Sequence, residues 1–159
     1  MTPRKDLDHM PATQSPMARA LAEAEAAAAR GEVPIGAAIT GPDGAVLVTA
    51  GNRTRELADP TAHAEMLAIR SACAKLQSER LVGCDLYVTL EPCPMCAAAI
   101  SFARVRRLYY GAPDPKGGGV EHGARVFNHP TCHHRPEIYT GIDEERAMAV
   151  LRSFFQAKR

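Results

Sequence analysis

Apolar positions along this chain switch between helical and strand periods, and the switches set out an order of elements. Residues 1–16, rich in Pro, Ser, Thr and charge, carry no apolar period and read as a disordered N-terminal leader. From Pro16 or Met17 to Arg30 the spacing predicts a helix, stopped by Gly31. Ile35–Thr40 and Ala45–Ala50 are β-rich runs flanking Gly-Pro-Asp-Gly, a hairpin signal. A polar stretch over 53–60 leads into a helix over about 62–76, with Met66, Ile69, Cys73 and Leu76 at core spacing. Strands are then predicted over 85–90, 105–111 and 137–142, with a helix over 94–103 that Pro94 opens. A long Gly- and Pro-rich loop fills 112–136. A last helix runs over 143–159, with Ala147, Val150, Leu151 and Phe154 on one face. Five strands and interleaved helices describe an α/β sandwich whose helices cover the sheet. Residues 17–159 form a single domain on this reading.

Composition narrows the class. A chain of 159 residues can bury a core without disulfide staples. Five cysteines are an odd number, and two lie in C-x-x-C spacing, which favours reduced or metal-bound thiols and a cytoplasmic setting. Cys73 and Cys84 read as buried thiols. No stretch approaches the length and apolarity of a membrane helix. The net charge of +1 gives no global basic excess for tracking long nucleic acid. Local basic groups at Arg104, Arg106 and Arg107, at 133–135 and at the C-terminus allow a short RNA target without predicting one.

The strongest chemical signal is split. His63-Ala-Glu65 is followed thirty residues later by Pro92-Cys93-Pro94-Met95-Cys96. This supplies three soft zinc ligands and one carboxylate that is not needed as a ligand. A closed structural site takes four protein ligands, whereas a catalytic one keeps a position open. His63, Cys93 and Cys96 are the expected Zn²⁺ ligands, and Glu65 the expected proton carrier for an activated water. Asp59 or Thr61 is available to cap the helix that begins near His63. The order H-x-E … P-C-x-x-C is the signature of zinc deaminases. His129, Cys132, His133 and His134 could close a structural site or hold a second ion; a polar rim to the pocket is the expected reading.

Beyond these ligands, the sequence resembles the bacterial tRNA-specific adenosine deaminases over about 17–159. The likeness is carried by Glu32-Val-Pro-Ile-Gly36, Gly51-Asn-Arg53, Asp59-Pro-Thr-Ala-His-Ala-Glu65, Leu86-Tyr-Val-Thr-Leu-Glu-Pro-Cys-Pro-Met-Cys96, Tyr110-Gly-Ala-Pro-Asp-Pro-Lys116 and Phe154-Phe155. The resemblance implies a cytidine deaminase-like fold, a three-layer α/β/α sandwich around a central five-stranded mixed sheet. It implies hydrolysis of adenosine to inosine at the wobble position of tRNA-Arg(ACG), by a cytoplasmic homodimer that binds the anticodon stem-loop. It implies that Asn52 hydrogen-bonds the flipped nucleotide and that Val33 and Pro34 line the base pocket. Asp114 and Lys116 would contact RNA backbone, and of Phe154 and Phe155 one would belong to the core and one, Phe155, would stack on a base. The segment 117–127 departs from the pattern of the best-known relatives. Guanine and cytosine deaminases share the zinc chemistry and supply the alternative, a free-base or nucleoside deaminase.

Overall fold

The computed structural model describes residues 15–158, so most of the expected leader lies outside the described residues. Five strands form one sheet in the order β2-β1-β3-β4-β5. β1 (Gly36–Thr40) and β2 (Val46–Gly51) make the antiparallel hairpin, and β1 also pairs antiparallel with β3 (Asp85–Leu90). β4 (Arg107–Ala112) and β5 (Glu137–Tyr139) then add in parallel, so the sheet is mixed. Parallel neighbours need a crossover. α3 (Pro94–Phe102) supplies the one between β3 and β4, and the long loop with a single 3-10 turn at Val126–Asn128 supplies the next.

α1 (Pro16–Ala29) and α4 (Glu144–Ala157) cover one face of the sheet, while α2 (Ala64–Leu76) and α3 cover the other. Strand alternation divides the core accordingly. Ala37, Ile39, Leu86, Val88, Leu108 and Tyr110 point toward α2 and α3, and Ala38, Tyr87 and Tyr109 toward α1 and α4. Ser15 caps α1 by accepting from the Ala18 amide, and Pro16 stands at its first position. α1 and α2 meet the sheet through alanine: Ala20, Ala24 and Ala27 of α1 and Ala64, Ala68 and Ala72 of α2 are fully buried. The approach is so close that a Cβ at Gly36 would fall 1.8 Å from the Ala20 carbonyl oxygen.

Several expectations shift; the strand expected over 105–111 begins only at Arg107, after Arg104 takes a positive φ. α2 begins at Ala64, not near 62, because His63 stands outside the helix as its extended N-cap. Its core stripe is Ala64, Ala68, Ile69 and Ala72; Met66 and Cys73 are half-buried on the flank and Leu76 is exposed at the helix end. A sheet-facing helix this close has room for methyl groups but not for longer chains at every turn. β5 ends at Tyr139 because Gly141 adopts positive φ and turns the chain, although the Ile142 amide still reaches the Tyr110 carbonyl. Among the described residues no helix is long and apolar enough to cross a membrane.

Candidate metal centre and active site

Two helix starts on the same face of the sheet meet to form the site. Cys93 is the N-cap of α3, held extended with ψ 170°, and Pro94 opens the helix behind it. Cys96 lies one turn on and is fully buried. His63 is the N-cap of α2, held extended with ψ 154°, and its side chain makes no capping hydrogen bond. Its Nδ1 lies 3.6 Å from the Sγ of Cys93 and 3.6 Å from the Sγ of Cys96. A nitrogen at about 2.0 Å and a sulfur at about 2.3 Å from one tetrahedral zinc ion stand about 3.5 Å apart. The donors therefore fit zinc in kind and in spacing. Among the described residues this is the one group of three or more His, Cys, Asp or Glu able to share an ion.

The electrostatics point the same way. A hydrogen bond from the Cys96 thiol, outweighing burial, together with the neighbouring His63, brings the Cys93 pKa down to about 4. The same bond and burial push Cys96 up. The bond to Cys93 raises His63. Zinc ligation requires these donors deprotonated, so metal binding at the site is coupled to proton release.

Glu65 occupies the first turn of α2, two residues beyond His63, and is buried. Burial, with the charge of Cys93 adding to it, pushes its carboxyl up to about 7. Its Oε1 is buried without a hydrogen-bond partner. An orphaned carboxylate oxygen in the interior is costly unless a ligand meets it. Glu65 is not among the clustered donors. It borders the cluster with the capacity to take or give a proton near neutral pH.

Asn52 ties the segment over Val33 and Pro34 to this centre. Its Oδ1 accepts from the Ala64 amide at 3.0 Å, so Asn52, and neither Asp59 nor Thr61, satisfies the start of α2. Asp59 instead accepts from the backbone and hydroxyl of Thr61. The Asn52 backbone N–H donates to the Ile35 carbonyl, which brings half-buried Val33 and buried Pro34 alongside. Asp114 and Lys116 lie on the other flank. The Asp114 carboxylate accepts from the amides of Lys116 and Gly117, closing a turn, and Lys116 is exposed. Phe155 is 49% exposed on α4, edge-on to half-buried Phe154, whose ring Lys158 covers. The structure does not bring Phe155 into the donor cluster.

The His- and Cys-rich segment after residue 128 forms no second group of donors. His129 meets the Ala124 carbonyl, His134 the Val105 carbonyl, and Cys132 the Ser101 hydroxyl. Two residues that motif reading passes over matter more. Glu32 accepts from the amides of Arg55 and Glu56 and so fixes the loop after Asn52. Glu91 accepts from four amides between Asp114 and His122. Burial raises the carboxyl of each, but these hydrogen bonds outweigh it and hold both below the ordinary range. Both acids lie within the runs that carry the family likeness, Glu32 opening 32–36 and Glu91 preceding Pro92, but nothing in the sequence shows the distant backbone amides that each one meets.

Comparison with known proteins agrees with the geometry. Residues 10–112 match the family model for the cytidine and deoxycytidylate deaminase zinc-binding region. A tRNA-specific adenosine deaminase of Agrobacterium fabrum is 62% identical over 90% of this chain and 93% of its own length. That of Bacillus subtilis is 41% identical over 90% and 88%. A solved structure from work on A-to-I editing by tRNA:A34 deaminases at the wobble position of transfer RNA superimposes with a TM-score of 0.84, at 62% identity, covering 86% of this chain and 98% of that one. A guanine deaminase from Nitrosomonas europaea superimposes at 0.77 with 25% identity, over 91% and 85%.

Proposed function

This chain belongs to the tRNA-specific adenosine deaminases, within the cytidine and deoxycytidylate deaminase zinc-binding family, and we propose that it hydrolyses adenosine to inosine at the wobble position of tRNA-Arg(ACG). His63, Cys93 and Cys96 hold zinc, one ion per subunit. The ion supplies Lewis-acid activation of water. Glu65 takes a proton from the attacking water and delivers it to N1 of the adenine as the water oxygen bonds to C6. It then carries the second water proton to the amino group as the C6–N6 bond breaks and ammonia leaves. One carboxylate suffices because both transfers lie on the same side of the ring.

One observation carries the reading: a buried carboxylate with an unpartnered oxygen stands beside a three-donor metal cluster. Asn52 offers its Nδ2 to the extruded nucleotide, with Val33 and Pro34 against the base. Asp114 and Lys116 meet the flanking backbone, and Phe155 stacks on a base of the loop. The bases of an anticodon loop are already partly splayed, so extrusion costs only about a few kcal/mol. The working form is a cytoplasmic homodimer whose second subunit helps to grip the stem-loop. The 62% identity to an adenosine deaminase, against 25% and 32% to two guanine deaminases, favours the RNA substrate over a free base.

The test is inosine formation in an ACG anticodon stem-loop by the parent protein and by Glu65→Ala, with zinc content measured on both. The parent forms inosine, and the variant loses about a hundredfold or more of the rate while keeping its zinc. Ammonia release from guanine or cytosine with no inosine from the stem-loop would assign the site to the free-base deaminases instead.

A further inference from the structure

The loop from Asp114 to His122 hangs on one carboxylate. Glu91 sits between the end of β3 and the Pro92–Cys93 turn, and its side chain is wholly buried. Its Oε2 accepts from three consecutive amides, Val120 at 3.2 Å, Glu121 at 3.1 Å and His122 at 3.1 Å. Successive amides of this kind form a concave nest for an anion. Its Oε1 accepts from the Asp114 amide at 3.0 Å and lies 2.7 Å from Nδ1 of His122. A second connection runs beside the first. The Gly119 amide donates to the Pro92 carbonyl at 2.8 Å. A Cβ at Gly119 would lie 2.6 Å from the Pro94 nitrogen, and one at Gly118 would lie 2.4 Å from Oε2 of Glu91.

The glycines of the divergent segment are thus required where they stand: they let the loop backbone seat directly on the turn that carries Cys93. Apolar anchoring is already provided by buried Val120 and Phe127. The carboxylate adds what apolar packing cannot, because a nest fixes the direction of each amide as well as the position of the loop. Asp114 lies at one end of that loop, and Lys116 follows in the turn that Asp114 closes.

We propose that Glu91 is a positioning residue that holds the 114–122 loop in register with the metal-bearing turn, so that substrate contacts and metal ligands move as one unit. The inference rests on the reading that Asp114 and Lys116 meet the RNA. Glu91 touches neither the reacting atoms nor the ion. Its loss therefore weakens substrate capture before it weakens chemistry.

Three variants test this. Glu91→Gln keeps the shape but turns a carboxamide NH2 onto some of the donors that the carboxylate now accepts from. Gly118→Ala leaves Glu91 intact and pushes the loop from the other side. His122→Ala removes one of the five partners from a half-exposed position and gives the smallest effect. Each is purified with zinc and compared with the parent by amide hydrogen exchange and by KM and kcat on the anticodon stem-loop. Zinc content stays at the parent level, exchange accelerates at Asp114, Val120, Glu121 and His122, and KM rises about tenfold or more in the first two variants with kcat little changed. Unchanged exchange would overturn the proposal. So would faster exchange with a parental KM, which would leave Glu91 a purely structural role, and so would zinc loss as the primary defect. If the parent itself forms no inosine, the assignment of substrate fails alone, and the exchange data still decide whether Glu91 fixes the loop.

Discussion

At Asn52 a single side-chain amide answers two demands. Its oxygen caps α2 at Ala64, and its nitrogen is the group proposed to meet the nucleotide. Substitution can separate the two. Asn52→Ala removes both and costs about 1 kcal/mol of stability through the lost cap. Asn52→Asp keeps an acceptor at a helix N-terminus, where negative charge is favoured, and removes only the donor. Thermal unfolding is therefore lowered in the alanine variant and close to parental in the aspartate variant, while KM on the stem-loop rises in both. Residues of this kind show how far a sequence can be read. His63, Glu65, Cys93 and Cys96 are legible because metal chemistry demands those types at short spacings. Glu32 and Glu91 are not, because their partners are backbone amides far along the chain that reach them only after folding.

Elements were legible where one period dominated. The hairpin, α1 and α3 follow the sequence pattern closely, since turn residues, a cap and a proline mark their ends. The face of α2 was not, because alanines carry the contact with the sheet and a hydrophobicity pattern weights the longer Met66 and Leu76 above them. The loop that follows β2 depends on Glu32, and this makes it sensitive to acid. Hydrogen bonds from Arg55 and Glu56 hold the Glu32 carboxyl below its ordinary value of 4.5, despite burial. A group with a lowered folded pKa contributes stability that is complete above its unfolded pKa and is lost as pH falls through the folded one. The stability of the parent against denaturant therefore falls as pH drops below about 4.5. Glu32→Gln is less stable at neutral pH and shows a shallower fall over the same range.

On the scale of the whole molecule, the metal centre sits on a sheet that has its own core. The apolar clusters on both faces draw on four helices and the sheet, and the donors enter only at two helix starts. Chelation of zinc is thus expected to abolish activity and lower Tm, because an ion that binds only the folded chain stabilises it. Far-UV circular dichroism should stay near that of the zinc-loaded protein, and collapse of the spectrum would mean that the ion is needed to fold. The alanine stripes of α1 and α2 set a further condition on how this protein can change. Ala20, Ala24, Ala27, Ala64, Ala68 and Ala72 are fully buried against strands, with Gly36 closer still. Most cores are harmed by truncation, but along these two stripes the harm comes from growth. A single added methylene group forces side chains or backbone aside at about 1–3 kcal/mol. In a saturation library these positions would reject Val and Leu as well as Asp, so the tolerated spectrum there is set by volume as much as by polarity.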